Sequence, residues 1–262
     1  DQPATVRLLA SLDRMVALRS AGYPLQYVLG AWGFRTLDLM VDHRVLIPRP
    51  ETETVAGFAI DELDRVRSEG PAAVEANAGG DAEAEADRAA PVVADLGTGS
   101  GAIGLAIAAE RPRTQVWLTD VSADALQVAR ANLAGLGRAG GAVQLASGDW
   151  FEALPASLAG TLGVIVSNPP YVATVDDLDD DVARWEPELA LLADRAGLAH
   201  LEHLVDHAPA WLRPDGALIL ELDPRQVASI VDRAERRFAQ VEAKEDLTGR
   251  LRAVVARHPR PA

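Results

Sequence analysis

Two rhythms of apolar and polar residues run along this chain, and the switches between them mark its elements. Over residues 4–20, Val6, Leu8, Leu9, Leu12, Met15, Val16 and Leu18 form a mostly apolar stripe at helical spacing. Gly22-Tyr23-Pro24 stops that helix. Over residues 32–47 Trp32, Phe34, Leu37, Leu39 and Val41 alternate with polar positions, which predicts two short strands joined by a turn. Ile47-Pro48-Arg49-Pro50-Glu51-Thr52-Glu53 then reads as a stiff turn leading into a helix that runs to about Arg67.

From residue 92 strands and helices alternate. The pattern predicts strands at 92–96, 115–119, 142–146, 162–167, 216–222, 238–243 and 251–256. It predicts helices at 101–110, 122–134, 196–210 and 224–237. Such alternation specifies an α/β fold with a mostly parallel, doubly wound sheet, closed by an antiparallel hairpin at its edge. Between the halves, residues 68–91 are rich in Ala, Glu, Asp and Gly and nearly devoid of large apolar side chains. They bury too little surface to offset their ordering entropy, so a mobile insertion is expected. The domain organisation expected is a helical segment at 1–30, a hairpin and helix at 31–67, the insertion at 68–91 and the main domain at 92–257.

Length and composition narrow the function. The chain has 262 residues, 48% of them hydrophobic, enough for one large domain with a substantial core. No apolar run is long enough for a membrane span, and the first residues lack the pattern of a signal peptide. The absence of Cys excludes disulfides, thiolate metal ligands and a Cys nucleophile, and fits a cytoplasmic enzyme. The net charge of -14 disfavours a nucleic-acid partner, because no basic stripe accompanies it, and fits a basic protein substrate. His200, His203 and His207 share a helical spacing. No His-Glu-x-x-His pattern accompanies them, so a solvated helix face is expected there and no metal.

The chemistry gathers at the ends of the predicted strands. Val92–Leu96 runs into Gly97-Thr98-Gly99-Ser100-Gly101 and then a helix, a corner where glycines permit close backbone approach to a ligand. Gly99-x-Gly101-x-x-Gly104 also satisfies a dinucleotide fingerprint, which alone is weak because such glycines also serve close packing. Asp120 ends the next strand, where an acid accepts from ribose hydroxyls; capping of the following helix is the competing role. Asp149-Trp150 ends the third strand, an acid for an adenine amino group and an aromatic to cover the ring, or else a core aromatic. Together these describe a site for a nucleoside-containing cofactor. After the apolar run 162–167 come Asn168-Pro169-Pro170-Tyr171. Two prolines fix the turn and remove two backbone donors, leaving the Asn168 side-chain oxygen and two carbonyls as acceptors for a substrate N–H₂, with Tyr171 as a flat neighbour. The acidic stretch 172–186 reads either as a lid that attracts a basic loop or as a solvated connection.

These motifs, with Pro24–Gly30, Leu46–Glu53, Ser147–Phe151, Ser167–Val172 and Trp185–Leu191, closely resemble the HemK/PrmC family of protein-(glutamine-N5) methyltransferases over about residues 24–257, the insertion excepted. The resemblance implies a Rossmann-like class I methyltransferase domain with a seven-stranded sheet and S-adenosylmethionine as cofactor. It places Gly97, Thr98, Gly99, Ser100, Gly101, Asp120, Asp149, Trp150 and Asn168 around that cofactor. It places Asn168, Pro169, Pro170 and Tyr171 around a glutamine of the Gly-Gly-Gln loop of peptide-chain release factors. Asn168 Oδ1 and the Pro169 carbonyl are then expected to accept the two amide hydrogens, with Tyr171 packed on the amide plane. Two departures stand out. Only about 23 residues precede Pro24 and the chain does not begin with Met, so a reduced or trimmed docking domain is expected, and Asp223 stands where a Gly is usual. Competing readings are glutamine methylation of a ribosomal protein, N6-adenine methylation with base flipping, a nicotinamide dehydrogenase, and a binder of S-adenosylmethionine without catalysis.

Overall fold

The computed structural model describes residues 5–69, 91–174 and 179–260. The helices are α1 (Val6–Ser20), α2 (Leu25–Leu29), α3 (Pro50–Glu69), α4 (Ala102–Glu110), α5 (Ala123–Gly135), α6 (Asp180–Trp185), α7 (Ala199–His207) and α8 (Val227–Glu235). The strands are β1 (Ala31–Phe34), β2 (Leu37–Met40), β3 (Val92–Leu96), β4 (Val116–Asp120), β5 (Val143–Ser147), β6 (Leu162–Ser167), β7 (Leu212–Glu221), β8 (Phe238–Glu245) and β9 (Leu251–Pro259).

β1 and β2 form an antiparallel hairpin. The other seven strands make one sheet in the order β5-β4-β3-β6-β7-β9-β8. β3 to β7 are parallel, whereas β9 lies antiparallel between β7 and β8. From β3 the chain moves outward to β4 and β5, then returns to β6 on the other side. That reversal opens a crevice at the carboxyl ends of β3 and β6, where ligands bind in open α/β sheets.

Both faces of the sheet are covered, which is why β6 reads as an unbroken apolar run and is buried along its whole length. Val164 and Val166 point to one face and meet α3 and α4 through Val55, Leu63, Leu105 and Ile107. Ile165 points to the other and meets α7 and α8 through Leu201, Leu204 and Ile230. The hairpin residues Phe34 and Leu39 complete the first of these cores.

The strands and long helices fall where the periodicity predicts them. Three local expectations change. α1 has the expected helical period but buries none of its stripe, and Val6 is 85% exposed. Period reports which residues share a face and not what covers it. Beyond Met40 the predicted second strand is a loop; Val41, Val45 and Ile47 are still buried, beneath Tyr27 and α5. Within the acidic stretch, residues 180–185 form α6, with Asp180 and Asp181 in its first turn, where acids suit the helix dipole. Residues 70–90, nearly all of the expected insertion, lie outside the described residues.

Glu62 pins α3 to the sheet. It accepts from Arg257 of β9 at 2.5 Å and from Arg65 at 2.7 Å. Burial pushes the Glu62 pKa up, but the two guanidiniums outweigh it and leave it below the ordinary value. Its contribution is therefore complete above the usual carboxylate range and lost as pH falls through the lowered value. Glu62→Ala removes the acceptor that Arg65 and Arg257 share, leaving Arg65 with Glu69 and Arg257 with Glu242, and is expected to cost about 2 kcal/mol at pH 7 by urea unfolding, a difference that shrinks in acid.

Candidate active site

The crevice holds a cavity of about 390 Å³. Its walls come from the ends of β3, β4, β5 and β6, and from the loops around Pro48 and Pro187. Gly97 to Ser100, Asp120, Asp149, Trp150, Asn168 and Pro170 all line it, so the residues read as a cofactor and substrate site converge. Gly101 stands behind them as the N-cap of α4 with φ 85°.

The glycine turn is held from below and from the side. Asp95, 1% exposed, accepts from the Thr98 hydroxyl at 2.6 Å and from the Gly104 amide at 2.9 Å through the same carboxylate oxygen. Burial raises its pKa to about 6, against the lowering effect of those two hydrogen bonds. At Gly104 a Cβ would run into Leu118 and Asp95, which explains the last glycine of the fingerprint as a packing residue. Asp120 accepts from the Gly99 amide at 2.9 Å and from the Ser122 amide at 2.8 Å. The helix cap expected of Asp120 belongs to Ser122, whose hydroxyl accepts from Ala125. Each Asp120 oxygen keeps a further lone pair for a ligand.

Trp150 has φ 43°, a left-handed conformation that few bulky residues adopt. A Cβ on Gly97 would stand 3.3 Å from its ring, so only glycine lets the turn lie this close. His200 stands beside that ring, with centroids 5.2 Å apart, and also lines the cavity. This corrects the expectation of a solvated histidine face: His200 belongs to the site. His203 and His207 stack on each other and lie beside Phe151.

The Asn-Pro-Pro-Tyr turn divides. The Asn168 amide nitrogen donates to the Thr52 hydroxyl at 3.3 Å. Pro170 faces the cavity, Pro169 is buried, and the Tyr171 ring packs against the core beneath α7 and α8. Burial raises the Tyr171 pKa, and its carbonyl accepts from Gln226 at 2.8 Å. In place of the expected Tyr171 wall, the cavity is bounded by Pro48, Trp150 and Pro170.

Further contacts hold the site together, and the sequence does not show which residues pair. Glu186 is buried, accepts from the Ile47 amide at 3.0 Å and from Arg49 at 2.5 Å, and so joins the loops that carry Pro187 and Pro48. Asn132 accepts from the Met40 amide at 2.7 Å and donates to the Ser100 carbonyl at 2.8 Å, stitching the hairpin to the glycine turn. Asp223 caps the turn before α8, accepting from the Arg225 amide at 2.8 Å, a structural reason for an acid there.

Comparison with known proteins adds to this geometry. A release factor glutamine methyltransferase of Xylella fastidiosa is 39% identical over 261 residues, covering 99% of this chain and 85% of that protein. One from Deinococcus radiodurans is 39% identical over 257 residues, covering 97% and 80%. The chain belongs to the release factor glutamine methyltransferase family. The methyltransferase small domain family model matches residues 83–184. The fold is shared with the hMettl16 catalytic domain, at TM-score 0.61 and 14% identity over 89% of this chain and 81% of that one. It is also shared with a methyltransferase from Pyrococcus furiosus, at TM-score 0.53 and 17% identity over 97% and 99%. The mostly parallel seven-stranded sheet with its antiparallel edge is thus the class I methyltransferase fold expected from the sequence. No helix among the described residues is long and apolar enough to cross a membrane.

In this family member Asp95 is expected to leave a pH signature. Its raised pKa means the folded state keeps a proton that the unfolded state loses, so the contribution of Asp95 is full below pH 4 and is lost as pH rises through about 6. The stability difference between the unsubstituted protein and Asp95→Asn is expected to shift by about 3 kcal/mol in favour of the variant across that range, measured by urea unfolding at each pH.

Proposed function

We propose that this protein transfers a methyl group from S-adenosylmethionine to the side-chain amide nitrogen of a glutamine in a peptide-chain release factor. The observation that carries this reading is the Asn168 side chain at the cavity wall, its nitrogen engaged by Thr52 and its oxygen left as an acceptor. An acceptor there fits a ligand that presents N–H groups. The names of the relatives supply the acceptor protein, and the net charge of -14 suits a basic partner.

The donor set fits S-adenosylmethionine. The glycine turn 97–101 offers backbone amides ahead of α4, Asp120 offers a carboxylate for ribose hydroxyls, and Asp149 with Trp150 offers an acceptor and a flat face for adenine. The close approach of Gly97 to Trp150 makes a cradle that a side chain would fill. When bound, S-adenosylmethionine supplies an electrophilic methyl group on a positively charged sulfur.

A glutamine amide nitrogen is a weak nucleophile because its lone pair is delocalised into the carbonyl. Asn168 Oδ1 and the Pro169 carbonyl accept its two hydrogens, which orients the nitrogen and stabilises the positive charge that develops on it. The proline pair keeps these acceptors fixed, so little reorganisation accompanies the reaction. Positioning and electrostatics of this kind need no strong base, and the surplus proton leaves the nitrogen after transfer.

Two measurements test the reading. With labelled S-adenosylmethionine, purified release factor is expected to take up label, and its Gln→Ala variant in the Gly-Gly-Gln loop is expected to take up none; label on a DNA oligonucleotide instead would overturn the proposal. Asn168→Ala is expected to lower kcat by about 100-fold or more with cofactor binding retained. Asp120→Ala removes both the anchor of the Gly99 amide and the ribose acceptor, and is expected to weaken S-adenosylmethionine binding at least ~10-fold by titration calorimetry.

A further inference from the structure

An asparagine side chain has two nearly isosteric orientations, differing only in which of oxygen and nitrogen faces a given neighbour. Only one of them is useful at Asn168, and its immediate neighbour does not choose by itself. A threonine hydroxyl both donates and accepts, so Thr52 alone would tolerate either orientation.

The choice is made one residue further away. Glu221 ends β7, beside Asn168 at the end of β6, because Ser167 pairs with Leu220 in the sheet register. Its side chain is 0% exposed, and neither carboxylate oxygen meets a donor at full hydrogen-bond geometry among the described residues. The Thr52 hydroxyl is the hydrogen-bonding side chain that faces it, and Thr52 is itself 4% exposed. Burial raises the Glu221 pKa to about 7; above that pH the ionised carboxylate offers only acceptors and draws the hydroxyl proton toward itself. The hydroxyl lone pairs then face Asn168, and only the Asn168 nitrogen can satisfy them, as it does at 3.3 Å. The oxygen is left toward the cavity.

We propose that Glu221 and Thr52 act in series as positioning residues that hold the Asn168 oxygen toward the substrate. A buried carboxylate lacking a well-placed donor is costly, and serving this orientation accounts for its retention at the end of a core strand. The inference rests on the proposed role of Asn168.

The test uses the full chain, labelled S-adenosylmethionine and purified release factor. Thr52→Val keeps the shape and removes the hydroxyl; kcat is expected to fall about 10- to 100-fold, with KM for the release factor and the affinity for S-adenosylmethionine nearly unchanged. Thr52→Ser restores the hydroxyl and is expected to recover most of kcat. Glu221→Gln introduces a donor that competes for the hydroxyl oxygen, and its loss of kcat is expected not to add to that of Thr52→Val, because the two act through one contact. Equal losses in Thr52→Ser and Thr52→Val, multiplying losses in the double variant, or a fully active Thr52→Val beside an inactive Asn168→Ala would each overturn the relay. An active Asn168→Ala would instead overturn the reading of the site itself, so the two failures are told apart.

Discussion

The shape of the site hangs on one buried oxygen. Asp95 Oδ2 takes hydrogen bonds from the turn that leaves β3 and from the helix behind it: the Thr98 hydroxyl and the Gly104 amide inside α4. Those two bonds set where α4 begins, and with it which backbone amides stay unpaired at the mouth of the cavity. Asp120 completes the arrangement from the next strand by accepting from Gly99.

A parallel sheet covered on both faces forces all of this to one edge. β6 is buried along its length and apolar up to its last residue, Ser167, whose hydroxyl donates to the Leu96 carbonyl at 2.6 Å. The first position free to carry function is the one where the strand stops, and Asn168 occupies it. Two prolines then prevent the chain from pairing further, so the polar end of an apolar strand stays open to the cavity. Glu221 occupies the corresponding end of β7, and α3 brings Thr52 over both. The helix is placed there by its apolar residues, Val55, Ala59 and Leu63, and by Glu62.

Much of this was legible in the residues. Strand and helix positions follow from period, and the three strand ends with their glycines, acids and aromatic converge as their order implies. What stayed hidden depends on pairings between distant positions. Asn132 meets Met40 across the fold, and Glu186 meets Ile47 and Arg49 although the two motifs that hold them lie far apart in the chain. His200 was misplaced because helical spacing groups it with His203 and His207, while the packing of α7 turns it toward Trp150. Tyr171 was expected over a ligand because a ring beside a proline pair offers a flat face; the same ring also fills a core, and here it does. The apolar stripe of α1 carries the opposite lesson, a helix pattern without burial.

The acids of this protein divide into two kinds, and the division argues that the edge is built for a ligand. Glu62 and Glu110, which tie helices to their neighbours, are bonded to arginines, and their pKa values lie below the ordinary one. Asp95, Asp120 and Glu221, all at the carboxyl edge, are raised by burial and have no arginine hydrogen-bonded to them among the described residues. A fold selected for stability alone would pair such groups or replace them by apolar ones. Asp95 and Asp120 line the cavity and Glu221 ends the strand beside it; acids left without a cation at this edge mark a place where free lone pairs are used by what binds there.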